Sequence, residues 1–232
     1  MKYKIIGIIP ARGGSKGIPR KNIIRIAGKP LIAWTIESAQ KSRFLSRIIV
    51  SSDDSEILFV AKKYNAEIIK RPKKYATDRI SIEATIIHAL DYLKRKEKYI
   101  PDIIIILQPT SPLRTSDDID KAIKFFIKNK AGAMISIMEG DNKYLKSFFM
   151  EKWILRGIVN NKFPFTNRQA LPKIYMPNGA LYIIREKEFR KNKGLFSKRT
   201  FGFIMDKERS IDLDNSEDVP AIETFLKKMR PI

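Results

Sequence analysis

Residues 102–107 read Asp-Ile-Ile-Ile-Ile-Leu, and Gln108 follows. An apolar run without alternation, bounded by polar residues, fits a strand covered on both faces, as in parallel sheets sandwiched between helices. The rest of the chain repeats that theme. Apolar runs at 4–9, 47–52 and 66–70 read as strands, and helical patterns at 30–42, 54–64 and 81–98 separate them. A further helix is expected to begin at Thr115, with Asp118 three residues later as its capping-box partner, and 132–138 reads as another strand. The alternation predicts βαβ units and helices on both sides of one sheet. The rhythm breaks near Glu139. Residues 139–178 carry aromatics, bases, Asn and Pro without a helix period, and read as an inserted irregular or hairpin segment within a single domain spanning 1–232. Strands at 180–184 and 201–205 and a terminal helix at 217–229 resume the core.

In such sheets ligands bind beyond the carboxyl ends of the strands, so the polar tails of the predicted strands are the places to search. The first tail, residues 9–22, holds Gly13, Gly14 and Gly17 together with Arg12, Lys16, Arg20 and Lys21. Glycines let backbone N–H groups approach a phosphate, and cations at each end complete such a cradle. Ser15 and Asn22 add polar contacts. A basic surface turn is the competing reading. The Gln108–Arg114 loop is stiffened by Pro109 and Pro112 and puts Gln108 at a strand end, either as a ligand contact or as part of a turn. In Ser210-Ile211-Asp212-Leu213-Asp214 the two carboxylates fall on one side of an extended segment. They suit a hard cation such as Mg²⁺, or else a strand-to-helix junction capped by Asp214 or Asn215. Arg168 has the fork that clamps carboxylates, whereas Asn178-Gly179 also fits a simple turn. His88 sits on the 81–98 helix and reads as a packed or surface residue, because no Ser–His–Asp set can be built around a lone histidine. Trp34 and Trp153 are expected to pack, and Asp53-Asp54 to cap the second helix.

Composition narrows the function classes. The chain has no cysteine, which excludes disulfides, a thiol nucleophile and a cysteine metal cage. No run of apolar residues is long enough for a membrane span, and the chain reads as cytoplasmic. The net charge of +21 admits nucleic-acid binding, attraction of anionic substrates, or a lysine-rich bias spread over a solvated surface. The bases are dispersed and interleaved with acids after Glu37, which fits the last reading. Residues 1–36 differ, with eight Lys or Arg and no Asp or Glu.

Taken together, several segments resemble one family in order along nearly the whole chain. IIPARGGSKGIPRKN, IIVSSD, Arg71-Pro72, ATD at 76–78, LQPTSPLR at 107–114, RQALP at 168–172, NGALYI at 178–183 and SIDLD at 210–214 resemble the motifs of CMP-sialic acid synthetases, the acylneuraminate cytidylyltransferases. The resemblance implies a three-layer α/β/α, Rossmann-like nucleotidyltransferase fold with a mostly parallel mixed sheet. It implies that CTP and a nine-carbon 2-keto acid sugar yield the CMP-sugar and pyrophosphate with Mg²⁺ assisting. By position it places Arg12, Gly13, Ser15, Lys21, Asn22, Arg71 and Ser81 on the nucleotide side. Gln108, Lys146, Arg168, Asn178 and Tyr182 fall on the acid-sugar side, Asp212 and Asp214 on the metal, and Arg12, Lys21, Asp212 and Asp214 in the catalytic set. It also implies a homodimer whose inserted segment helps build the neighbour's site, with no membrane or nucleic-acid partner. The chain departs from the family pattern after Asp78, where Arg79, Ile80 and Ile82 interrupt a run of small hydroxyl residues. Leu195-Phe196 also stands where an aromatic pair is common. The Gly-Gly-Ser-Lys-Gly run favours the nine-carbon branch over enzymes acting on the eight-carbon acid Kdo.

Overall fold

The computed structural model describes residues 3–15, 17–77 and 80–228. In chain order the elements are β1 (Ile5–Pro10), β2 (Arg25–Ile26), β3 (Lys29–Pro30), α1 (Leu31–Gln40), β4 (Arg47–Ser52), α2 (Ser55–Lys63), β5 (Glu67–Lys70), α3 (Ile82–Glu97) and β6 (Ile103–Leu107). There follow α4 (Ser116–Lys128), β7 (Ala133–Glu139), β8 (Phe148–Glu151), β9 (Ile154–Gly157), β10 (Tyr175–Arg185), α5 (Glu186–Asn192), β11 (Thr200–Ile204) and α6 (Val219–Lys228). Asp78 and Arg79, which close the 76–78 motif and open the departure after it, lie outside the described residues. So do Lys16 of the first loop and Met229 of the terminal helix.

Seven strands form one sheet in the order β11-β7-β10-β6-β1-β4-β5. β1 pairs in parallel with β4 and β6, β4 with β5, and β7 with β11, while β10 runs antiparallel to both β6 and β7. The expectation of a mostly parallel mixed sheet is met. The apolar run of β6 explains why. Ile103, Ile105 and Leu107 pack on one side of the sheet with Ile32, Ile36 and Phe126, whereas Ile104 and Ile106 pack on the other with Ile86, Leu90 and Phe189. Both faces are dry, and burying each such side chain contributes ~1.5–3 kcal/mol. Helices α1, α2 and α4 cover the first face; α3 and α5 cover the second.

Local chemistry sets the helix starts. Asp54 caps α2 by accepting from the Glu56 and Ile57 N–H groups. Thr115 and Asp118 form the expected capping box of α4, and Ser81 caps α3. The cap of α2 is therefore Asp54 alone; Asp53 is used elsewhere. Asn215 caps the short 3-10 turn that leads into α6. Helix α5 was not foreseen, because its polar sequence shows no stripe beyond the buried Phe189.

Strand order reverses between β1 and β6, since the chain runs from β1 outward through β4 and β5 and then crosses to β6. A crevice opens at such a switch point, beyond the carboxyl ends of the parallel strands. Residues 140–174 leave the sheet between β7 and β10 as an arm made of 3-10 turns and the β8–β9 hairpin.

Candidate active site

The tails of β1, β5 and β6 meet the 212–214 segment at the switch point around a cleft of about 420 Å³. Arg12, Ser15, Lys21, Asn22, Arg71, Gln108, Asp212 and Asp214 all line it. Four separate sequence segments thus converge on one space.

The first loop is held from behind. Gly13 donates its N–H to Asp53 Oδ1 at 3.2 Å, and a Cβ there would meet Asp54 Oδ2 at 2.7 Å, so only glycine lets the loop lie this close to α2. Asn22 is buried and its amide donates to the Arg12 carbonyl at 2.9 Å, tying the two ends of the loop together. Lys21 Nζ donates to the Leu213 carbonyl at 2.6 Å and lies 3.4 Å from Asp214 Oδ1. The lysine therefore bridges the loop and the carboxylate segment.

Arg71 follows β5 and is buried. Its Nη1 donates to Thr85 Oγ1 at 2.8 Å, and Nη2 lies 3.9 Å from Asp53. Burial pulls its guanidinium below the usual arginine range, with Asp53 working against this and Arg12 adding to it. Such a cation gains from an anion brought into the cleft. Asp53 consequently serves both the loop and Arg71, a role its position beside a helix cap did not suggest.

On the opposite wall, burial raises the Asp212 carboxyl; the Thr110 side chain and Lys21 pull it back, and Asp214 adds to the rise. Asp212 Oδ1 is buried with no hydrogen-bond partner among the described residues. Such an orphaned carboxylate oxygen beside a second carboxylate fits a hard divalent cation. Among the described residues no group of three or more His, Cys, Asp or Glu could hold a metal. Two carboxylates suit Mg²⁺, which takes its remaining ligands from water and phosphate. Gly179 adopts a left-handed φ of 72°, and a side chain there would meet Gln108 Oε1 at 3.1 Å and Asp212 Oδ2 at 3.4 Å.

The other anticipated residues are placed differently. Ser81 is exposed at the start of α3, and its neighbours Ile80 and Ile82 line the cleft instead. Tyr182 is half-buried on β10; its hydroxyl is pushed up by burial and then by the charge of Asp212. Asn178 is buried, hydrogen-bonds to Ser136 and Ser210, and does not line the cleft. Lys146 and Arg168 belong to the arm and do not line the cleft, and Arg168 pairs with Asp141 at 3.0 Å. Tyr75, Thr77, Thr85 and Thr110 line the cleft but were not singled out from the sequence. Thr110 and Thr77 carried a signal, through the proline-stiffened loop and the 76–78 motif. Trp34 packs as expected, with its indole N–H on the Ile26 carbonyl. Trp153 does not: it is 89% exposed on the arm, because it sits in the tight β8–β9 turn with a φ of 70°.

A switch-point cleft with cations on one side and paired carboxylates on the other marks a nucleotide-handling α/β protein. Residues 6–227 match the family model described as cytidylyltransferase, and the chain belongs to the cytidylyltransferase family. It is similar to the N-acylneuraminate cytidylyltransferase of Escherichia coli O18:K1:H7, with 33% identity over 98% of this chain and 53% of that protein. The chain thus spans about half the length of that relative. It is also 33% identical to the pseudaminic acid cytidylyltransferase of Campylobacter jejuni, over 97% of both chains. Among solved structures it resembles a CMP:2-keto-3-deoxy-manno-octonic acid synthetase complexed with CTP, with a TM-score of 0.73, 15% identity and coverage of 98% of this chain and 100% of that one. At that identity the likeness concerns the fold. No helix among the described residues is long and apolar enough to cross a membrane.

Proposed function

We propose that the protein is a Mg²⁺-dependent cytidylyltransferase that joins CTP to a nonulosonic acid of the N-acylneuraminate, legionaminate or pseudaminate type, giving the CMP-sugar and pyrophosphate. The observation that carries this reading is the convergence of Arg12, Lys21, Asn22 and Arg71 with Gln108, Asp212 and Asp214 on one cleft. The similar proteins named above that act on nine-carbon acids support the sugar class.

In this reading the anomeric hydroxyl oxygen of the sugar attacks the α-phosphorus of CTP. The bond from that phosphorus to the bridging oxygen breaks, and pyrophosphate leaves with the electron pair. Such chemistry needs alignment and charge neutralisation more than a protein nucleophile. Arg12 and Lys21 hold the leaving group, with Lys21 already oriented by the Leu213 carbonyl. Arg71 and the loop N–H groups hold the nucleotide, and Gln108 and Tyr182 face the sugar. Asp212 and Asp214 would hold Mg²⁺, which when bound polarises the α-phosphate and neutralises the departing pyrophosphate. No side chain is assigned to receive the hydroxyl proton.

The same reading places the enzyme in the cytoplasm as a homodimer. The arm exposes Phe149, Met150, Trp153, Ile154, Leu155 and Phe165. The β8–β9 register puts exposed apolar side chains on both faces of the hairpin, and such surface marks an interaction site. Pairing two arms would cover it and carry Lys146 and Arg168 toward the neighbour's cleft.

Pyrophosphate release with CTP, Mg²⁺ and a panel of acid sugars tests the proposal. Turnover is expected with at least one nine-carbon acid. Turnover with Kdo alone would move the assignment to the eight-carbon branch, and no turnover with any sugar by folded protein would overturn it. Asp214→Ala should lower kcat by roughly 10²-fold or more, the scale of losing a charge-stabilising group; unchanged kinetics would remove Asp214 from the metal site.

A further inference from the structure

The buried polar chain Ser136–Asn178–Ser210 lies behind the cleft, and the Ser136 hydroxyl has a second, longer acceptor in the Leu181 carbonyl at 3.0 Å. Ser136 Oγ donates to Asn178 Oδ1 at 2.5 Å and accepts the Leu181 N–H at 2.9 Å. Asn178 Oδ1 also accepts the Ala180 N–H at 3.2 Å, which fixes the orientation of the amide. Asn178 Nδ2 then donates to Ser210 Oγ at 2.8 Å, and Ser210 Oγ donates to the Asp206 carbonyl at 2.7 Å. All three side chains are buried, at 0%, 4% and 5% exposure.

The chain joins three places that the sequence keeps apart. Ser136 is on β7. Asn178 opens the irregular stretch of β10, where the register with β7 shifts between Pro177 and Tyr182. Ser210 stands two residues before Asp212. Gly179 follows Asn178 and sits against Gln108 Oε1 and Asp212 Oδ2. A clamp at residues 178 and 210 therefore sets how close the Gln108 wall comes to the Asp212 carboxylate.

We propose that Ser136, Asn178 and Ser210 are positioning residues that align the Asp212 carboxylate with the Gln108 wall, and that Asn178 acts through this clamp rather than by touching the sugar. Asn178 is 4% exposed and does not line the cleft; its oxygen carries two hydrogen bonds, and its amide nitrogen donates to Ser210. Loss of an outer hydrogen-bond partner misplaces a carboxylate ligand and weakens the metal it holds. The proposal rests on the reading of Asp212 as a metal ligand, and the experiment separates the two.

Mn²⁺ affinity of the CTP-bound protein, read by electron paramagnetic resonance, is measured alongside kcat and KM. Ser136→Ala lies outside the cleft lining and is expected to weaken Mn²⁺ by roughly tenfold and lower kcat, leaving KM for CTP within about twofold. Ser136→Thr, which keeps the hydroxyl, should recover most of the loss. Asn178→Ala should match Ser136→Ala, and the double variant should be little worse than either single one. If Asn178 instead touches the sugar, Asn178→Ala will raise only the sugar KM, Ser136→Ala will be silent, and the proposal is overturned. Asp212→Asn is the control. Should it leave Mn²⁺ affinity unchanged, the metal reading has failed; should it abolish Mn²⁺ binding while Ser136→Ala is silent, only the clamp has failed.

Discussion

The cleft and the arm belong to the same chain but are stabilised in opposite ways. Around the cleft, hydrogen bonds within the chain hold the walls: Asn22 holds Arg12, Asp53 holds Gly13, and Arg114 grips the carbonyls of Gln108 and Ala180, while Asp212 Oδ1 finds no partner among the described residues. On the arm, the hairpin turns through Lys152 and Trp153 at φ values of 47° and 70° and presents a largely apolar surface to water. Two strands alone are marginal in water, and a bulky residue in the left-handed region adds strain. The sheet builds its site from its own contacts, whereas the arm makes sense only against a second surface.

The largest expected effect comes from breaking the arm. Phe149→Ser with Trp153→Ser should convert a dimer to a monomer by light scattering and leave the far-ultraviolet spectrum unchanged. Turnover should fall by at least about tenfold if the proposed pairing of arms is what carries the neighbour's Lys146 and Arg168 to the cleft. A variant that stays dimeric and fully active would show that this surface is not the interface, and the contrast between the two regions would collapse.

The reverse perturbation strikes the cleft wall. Arg114 is fully buried, its guanidinium is pushed down to about 10 by burial, and Nη1 holds the Ala180 carbonyl at 2.5 Å. Arg114→Met would leave the Ala180 carbonyl without its guanidinium partner, at a cost of ~1–3 kcal/mol, and would leave the Gln108 carbonyl only the Ser111 N–H and the Thr35 hydroxyl, both at 3.4 Å; removing a buried charge partly offsets this. A net loss of about 2 kcal/mol should lower Tm by roughly 4–8 °C, with the oligomeric state unchanged. An unchanged Tm would mean that the wall is not held by this cation.

These contrasts also explain what the sequence could and could not convey. The sheet was legible because period and burial coincide: Ile103–Leu107 has to be covered on both faces, so it has to lie inside a sheet with helices on either side, although one of its two neighbours, β10, runs antiparallel. The strand-end residues followed from the same logic, and Arg12, Lys21, Arg71 and Gln108 lie where the strand tails put them. The arm hid its purpose because an exposed Trp153 and a packed one look alike in sequence. Asn178 was hard to read in another way. Its Asn-Gly step reads as a turn and its place in a motif reads as a ligand contact, and its hydrogen-bond partners, Ser136 and Ser210, are isolated serines with no local signature. Helix α5 was missed because a single buried Phe189 does not make a periodic stripe.

The smallest predicted effect concerns the boundary of the cleft, where His88 stacks on Tyr75 with ring centroids 5.1 Å apart. Tyr75 lines the cleft, so His88 supports one of its walls from behind. Burial lowers the imidazole below its ordinary value, and the nearby Arg95 and Arg71 reinforce this, with Lys74 adding and Asp91 opposing. The folded state therefore prefers the neutral ring. The unfolded chain takes up its proton near pH 6.5, the ordinary histidine value, and the folded protein does so only at lower pH. The stabilisation from this residue is complete above that value and is lost as pH falls from it toward the lower folded midpoint. Because the chain has a single histidine, one ring resonance reports the titration without assignment. That resonance should titrate below 6.5, and His88→Gln should flatten the part of the Tm–pH profile between the two midpoints. A midpoint at or above the ordinary value would mean that the ring is solvated and that the Tyr75 wall stands without it.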